Sequence, residues 1–242
     1  DDKPLSFEDL GFQGLALDKV TKATKISHGM VLSCGPTGSG KTTTLYSMLR
    51  TMNTPENKVI TLEDPVEYNM DGVTQSQIDE KRDYTFASGL RTLLRQDPDI
   101  VMLGEIRDLE TAQTAAQASL TGHILLSTIH ANSALETIPR LVNMGLKPFM
   151  IAPALDTVIA QRLVRKVCKD CSSMIDTPES IKKEYSILIE RLKMNDQNIM
   201  IDIPVQIPEV KGCEKCSKTG YIGRMVIAEV LTITPKIKNM IM

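Results

Sequence analysis

The sequence predicts an α/β fold, a mostly parallel sheet with helices on both faces, and three observations carry that expectation. Short apolar runs at 30–34, 58–62, 99–103 and 123–128 alternate with helical patterns. Each run is bounded by Gly, Pro, Asp or Glu, as strands buried on both faces are. The first run leads directly into a glycine-rich loop and then a helical stretch, giving a strand–loop–helix unit.

With 242 residues the chain exceeds one ordinary domain of about 150, which predicts a full-sized core plus something smaller. Hydrophobic residues make up 42% and charged residues 24%, as in globular proteins. The net charge is −2, acidic through Val164 and mildly basic beyond it. Neither part carries the strong basic field of nucleic-acid binding. No apolar run reaches the roughly 18 residues of a spanning helix; the nearest, 149–160, is broken by Asp156. Trp is absent and Met numbers 13, so the core is expected to be aliphatic and pliable, without stacking platforms for single strands.

Residues 1–17 read as a linker or the tail of a preceding domain, and a start at Asp1 rather than Met suggests an excised half. A core is expected over 18–164, with helices at 42–52, around Phe86, Leu90, Leu93 and Leu94, and over the Ala-rich stretch 109–120. Near Arg165 the texture changes: Lys becomes frequent and paired cysteines appear. A second small unit is expected over 165–223 and a C-terminal element over 224–242. Inside the small unit, Thr177 and Pro178 signal a helix start. Ile181, Tyr185, Leu188, Ile189 and Leu192 then mark one apolar face.

The loop Gly35-Pro36-Thr37-Gly38-Ser39-Gly40-Lys41-Thr42-Thr43 matches G-x-x-x-x-G-K-[ST] in the context that motif needs. Its glycines let consecutive N–H groups and a helix N-terminus converge on phosphate oxygens. Lys41 would reach the β- and γ-phosphates of ATP, and the Thr42 hydroxyl would ligate Mg²⁺. Such a loop needs an acidic partner at a neighbouring strand end. Glu105 suits this, following the run 100–103 and Gly104, whose smallness would leave space beside the phosphates. Glu63, Asp64 and Glu67 form a second set, a solvated strand end or cap being the alternative for each. His123 and His130 flank a buried strand, where a hydrogen-bonded core role competes with a functional one. Arg91, Arg95 and Arg107 could pair with Asp97, Asp99 and Asp108, or reach a neighbouring subunit's γ-phosphate.

Of five cysteines, four form two C-x-x-C pairs, Cys168/Cys171 and Cys213/Cys216, able to hold one Zn²⁺ tetrahedrally. The insert from 172 to 212 is long for a short ribbon, but loop-closure cost grows only logarithmically. Nearby Lys166, Lys169, Lys211, Lys215 and Lys218 could offset the charge of four thiolates. Without a His or open ligand position the site reads as structural. A redox dithiol is the competing reading. Cys34, the fifth, is expected in the core.

Taken together, the motifs resemble the ATPases of type II secretion and type IV pilus assembly. Beside the phosphate loop, Thr61-Leu62-Glu63-Asp64-Pro65-Val66-Glu67-Tyr68 is similar to the family's aspartate box. Leu94-Arg95-Gln96-Asp97-Pro98-Asp99-Ile100 running into Gly104-Glu105-Ile106-Arg107-Asp108 is similar to its Walker B region. Thr121-Gly122-His123 through Thr128-Ile129-His130-Ala131-Asn132 is similar to its histidine box. One departure is Ile129-His130-Ala131-Asn132, where Leu-His-Thr-Asn is common; it keeps the His. The resemblance implies a RecA-like P-loop NTPase core plus a tetracysteine zinc subdomain of the extension type, which retraction ATPases lack. It implies Glu105 as catalytic glutamate, Glu63 polarising the attacking water, His130 at the γ-phosphate, and an arginine such as Arg107 or Arg162 near nucleotide. It further implies a homo-hexamer, cytoplasmic but peripheral to the inner membrane on a platform protein, driving assembly of pilin-like fibres, with no nucleic-acid partner and no membrane insertion. Such proteins carry an N-terminal domain that contributes arginines, so this chain alone is expected to bind nucleotide and turn it over slowly. A nucleic-acid remodelling ATPase and a nucleotide-binding adaptor without turnover are the alternatives.

Overall fold

The computed structural model describes residues 5–195 and 201–242, so the first four residues of the expected linker lie outside the described residues. Its strands are β1 (Gly29–Cys34), β2 (Val59–Glu63), β3 (Val73–Gln77), β4 (Ile100–Leu103), β5 (Ile124–Ile129), β6 (Leu155–Val167), β7 (Ser172–Asp176), β8 (Gln206–Val210) and β9 (Tyr221–Thr232). Its helices are α1 (Phe7–Leu10), α2 (Gly14–Ala23), α3 (Lys41–Met52), α4 (Phe86–Leu94), α5 (Leu109–Leu120), α6 (Thr137–Asn143), α7 (Pro148–Ala154), α8 (Glu179–Asn195) and α9 (Pro235–Ile241). Seven strands form one sheet in the order β3-β2-β4-β5-β1-β6-β9, and every pair from β3 to β6 along that order is parallel. This is the mostly parallel α/β sheet the sequence predicts.

The continuous apolar runs follow from burial on both faces. Successive strand residues point to opposite sides, so Met30, Leu32 and Cys34 of β1 enter one core while Val31 enters the other. Likewise Val101 and Leu103 of β4 oppose Ile100 and Met102. The first core is covered by α4, α5 and α7, through Leu90, Ala112, Ala116 and Ile151, and the second by α3, through Leu45, Met48 and Leu49. A Thr85–Ser88 capping box starts α4, and the Asp108 carboxylate accepts the Thr111 N–H at 2.8 Å to start α5.

Residues 5–12, which read as linker, are packed: Phe7, Leu10 and Phe12 are buried in the second core. A Ser6–Asp9 capping box holds α1. The apolar stretch 149–160 divides into α7, opened by Pro148 at its first turn, and the first half of β6.

The chain divides into two compact units, Asp1–Val164 with Met225–Met242, and Arg165–Arg224. The closing segment, set apart in the sequence reading, therefore belongs to the first unit, where Val226, Val230 and Ile233 are buried. In the second unit β7 pairs antiparallel with β8. Thr177, expected to cap α8, donates its hydroxyl to the Pro204 carbonyl at 2.5 Å. Of the apolar face expected on α8 only Ile189 is buried, while Leu188 and Tyr185 are exposed. Among the described residues of this unit the buried hydrophobic residues are Cys168, Ile189 and Cys216. A core that thin is small for a unit of this length.

Candidate functional site

Parallel strands put their carboxyl ends on one edge of the sheet, and ligand sites gather there. Four neighbouring strands, in the spatial order β2-β4-β5-β1, end in Glu63, in Gly104-Glu105, in His130 and in the phosphate loop. Register brings these ends level: Cys34 lies opposite Ile129, and Leu103 opposite Ser127. Residues up to 93 positions apart in sequence thus meet around a cavity of 790 Å³. Thr37, Gly38, Gly40, Lys41, Thr42, Thr43, Glu63, Glu105, Arg107 and His130 all line it.

Gly40 precedes the first residue of α3 with φ of 84°, a left-handed conformation that suits glycine. No side chain caps α3, so its first N–H groups are available to an anion. Gly35, Pro36 and Ser39 do not reach the cavity wall. Gly35 and Pro36 offer their carbonyls to the Lys41 ammonium, both at 3.1 Å, and Ser39 is the buried residue of the loop's far half. Burial lowers the Lys41 pKa, and the nearby Glu105 carboxylate opposes that shift.

The two strand-end glutamates differ. Glu63 is 2% exposed and its carboxylate accepts from three side chains: the Tyr46 hydroxyl, the Thr61 hydroxyl at 2.5 Å and the Gln75 amide at 3.2 Å. Burial, and then the Glu63 carboxylate, push the Tyr46 hydroxyl pKa up, so it remains a donor. Glu105 has 18% side-chain exposure. It accepts a hydrogen bond from Arg107 and lies 3.6 Å from His130 Nε2. That Arg107 bond is the largest cause holding the Glu105 carboxyl below its usual range. Gly104 lines the cavity, and packing adds a second reason for its size: a Cβ there would meet the Phe86 ring at 3.2 Å.

Arg91 and Arg107 pair with acids other than those expected, and His123 takes the hydrogen-bonded one of its two open readings. Arg107 pairs with Glu105 rather than Asp108, which caps α5. Arg91 pairs with Glu110 at 2.5 Å, and Asp99 accepts the Lys58 N–H at 2.7 Å. Arg162 lines a separate cavity of 240 Å³ with Asn132 and Glu229. His123 sits at the opposite end of β5 from His130, with Nδ1 3.0 Å from the Ala118 carbonyl, a local structural role. Cys34 is buried; burial pushes its thiol pKa up, and the thiol donates to the Ser133 carbonyl at 3.4 Å.

Sequence reasoning did not single out Tyr46 or Gln75, and it named Phe86 only as a helix residue and Thr128 only within the histidine motif. Tyr46 follows Thr42 by one helical turn, an i,i+4 spacing that puts both on one face, and Tyr68, which stacks on it at 4.4 Å, closes the acidic motif. Gln75 lies on β3, whose pairing with β2 carries no sequence signature.

In the second unit the four sulfurs of Cys168, Cys171, Cys213 and Cys216 lie within 4.8 Å of one another. A tetrahedron with metal–sulfur bonds near 2.3 Å has edges of roughly 3.8 Å. Three of the edges measure 3.9, 3.8 and 3.7 Å. The backbone amides of Cys213 and Gly220 donate to Cys216 Sγ at 3.1 and 3.2 Å. Led by the Cys213 amide, such bonds pull the Cys216 thiol down to about 6. Donor number, softness and spacing all fit Zn²⁺. Lys215 is engaged by Asp170 at 2.7 Å, which reduces its share in offsetting thiolate charge.

Against known proteins, the family described as Type II/IV secretion system protein matches residues 1–242. The chain is 44% identical over 237 residues to the type II secretion system ATPase E of Vibrio cholerae, covering 98% of this chain and 45% of that protein. It is 45% identical over 238 residues to the type IV pilus assembly ATPase PilB of Acinetobacter baylyi, covering 98% and 40%. The chain thus spans less than half the length of these relatives. Among solved structures, the ADP-bound pilus retraction motor PilT superposes with a TM-score of 0.69 at 29% identity, over 100% of this chain and 57% of that one.

Proposed function

The chain belongs to the type II/IV secretion system protein family, and from that premise we propose that it is the ATP-hydrolysing part of a motor for type II secretion or type IV pilus assembly. The observation that carries this reading is the convergence of the phosphate loop, Glu105 and His130 on one cavity at the carboxyl edge of the sheet.

In this reading the N–H groups of the loop and of the α3 start grip the β-phosphate. Lys41 leaves the Gly35 and Pro36 carbonyls to meet the β- and γ-phosphates. The Thr42 hydroxyl and Glu105 would hold Mg²⁺, which supplies charge neutralisation at the phosphates when bound. Glu105 orients or deprotonates the attacking water, and Arg107 keeps it anionic. Glu63, held in one orientation by Tyr46, Thr61 and Gln75, polarises that water from the cavity wall through a lone pair left on Oε2. His130, beside Glu105, donates to the γ-phosphate as charge develops.

The four clustered cysteines would hold Zn²⁺ as a structural staple. Among the described residues no helix is long and apolar enough to cross a membrane. Kinship with secretion and pilus ATPases supports a homo-hexamer, in the cytoplasm and docked on an inner-membrane platform protein, with other proteins rather than nucleic acid as partners. ATP turnover by the full-length protein with and without Lys41→Ala tests the reading. A fall of at least about 100-fold is expected, and unchanged turnover in the variant overturns it.

A further inference from the structure

Gln161, on β6, lies outside the nucleotide cavity yet bonds to the loop that forms it. Its side chain is 2% exposed. The carboxamide Nε2 donates to the Ser39 carbonyl at 2.8 Å, and Oε1 accepts from the Ser33 hydroxyl of β1 at 3.2 Å. A backbone carbonyl can only accept, so the amide must present its nitrogen to Ser39, and the Ser33 hydroxyl completes that orientation from the other side. The backbone of residue 161 also touches the loop: a Cβ on Gly35 would lie 2.4 Å from the Gln161 carbonyl oxygen. Gln161 thus ties β1, β6 and the far half of the phosphate loop together.

In a trans peptide the carbonyl and the following N–H point in opposite directions. Holding the Ser39 carbonyl toward Gln161 therefore turns the Gly40 N–H away from it, toward the cavity that Gly40 lines. The near half of the loop is held differently, by Lys41 on the Gly35 and Pro36 carbonyls. That hold must be released for Lys41 to reach a phosphate, whereas the Gln161 bond uses no group a phosphate needs. The Ser39 hydroxyl has no partner among the described residues, so Gln161 is the side chain fixing this peptide.

We propose that Gln161 is a positioning residue for the phosphate site, presetting the Ser39–Gly40 peptide so that the Gly40 N–H meets the β-phosphate of a nucleoside diphosphate or triphosphate. This rests on the nucleotide-site reading above and adds to it a residue about 120 positions beyond the loop. The consequence is selective: a ligand with a β-phosphate depends on Gln161, and a nucleoside monophosphate does not.

The test is calorimetric titration of the full-length protein with MgADP and with AMP, for wild type, Gln161→Met and Ser33→Ala, with thermal melts alongside. Losing the Gln161 bond is expected to weaken ADP at least about tenfold in Gln161→Met while AMP changes less than about twofold. Ser33→Ala, which only loosens the carboxamide, is expected to weaken ADP about threefold with AMP again unchanged. If Gln161→Met does not fold, the ADP-to-AMP ratio in Ser33→Ala carries the same test. ADP binding at wild-type strength, or equal losses for ADP and AMP, overturns the proposal, since a merely structural role would move both ligands together. Wild type that fails to bind ADP overturns instead the nucleotide-site reading on which it rests.

Discussion

The Tyr46 hydroxyl, on the helix that follows the phosphate loop, donates to the Glu63 carboxylate at the end of β2. It thereby joins the phosphate-binding and acidic sides of the cavity through one buried bond. Removing it leaves a buried carboxylate oxygen unpaired, with Thr61 and Gln75 serving the other. Tyr46→Phe is expected to cost about 1.5–3 kcal/mol of stability, the worth of a hydrogen bond to a charged group. Denaturant unfolding of the variant measures it, and an unchanged midpoint would show that the bond contributes nothing.

Glu105→Gln keeps the shape of the cavity wall but removes the base. ATP hydrolysis is expected to fall by at least about 100-fold with ADP affinity preserved. Turnover at the wild-type rate would remove Glu105 from the chemistry.

Arg107 holds the Glu105 carboxyl below its usual range. A carboxyl depressed in the folded state adds stability that is complete above its unfolded pKa and is lost as pH falls through the folded one. In Arg107→Ala the folded value rises, so the acid limb of the kcat/KM profile is expected to move to higher pH. A limb at the wild-type pH would mean that Glu105 does not set it.

The cysteine unit is expected to carry one zinc per chain by native mass spectrometry. Cys216→Ser, or zinc removal with a strong chelator, is expected to open residues 165–224 to proteolysis while the nucleotide-binding unit keeps its ADP affinity. Two disulfides in place of the metal would contradict the assignment.

Where local chemistry decides structure, the sequence was readable. The strands β1, β2, β4 and β5 are buried on both faces and so appear as unbroken apolar runs, and the phosphate loop, Glu105, His130 and the cysteine pairs carry their chemistry in their residue types. The edge strand β3, Val-Thr-Gln-Ser-Gln, is short and only partly buried, and it offers no such run. Among its described residues the segment 5–12 buries Phe7, Leu10 and Phe12 in a core, too few to set a period. Tyr46, Gln75 and Gln161 act across separations of 17, 12 and 122 residues on groups whose proximity exists only after the sheet assembles.

Strand order also predicts when different parts of the cavity open. The phosphate loop leaves β1, which has a parallel partner on each side, so the amides of β1, which anchor the loop, should be among the slowest to exchange with solvent. Gln75, one of the three groups holding Glu63, sits on β3, which has a neighbour on one side only. Fraying of that edge would remove one of the three bonds on Glu63 without disturbing the loop, so the acidic side should fluctuate faster than the cradle that holds the phosphates.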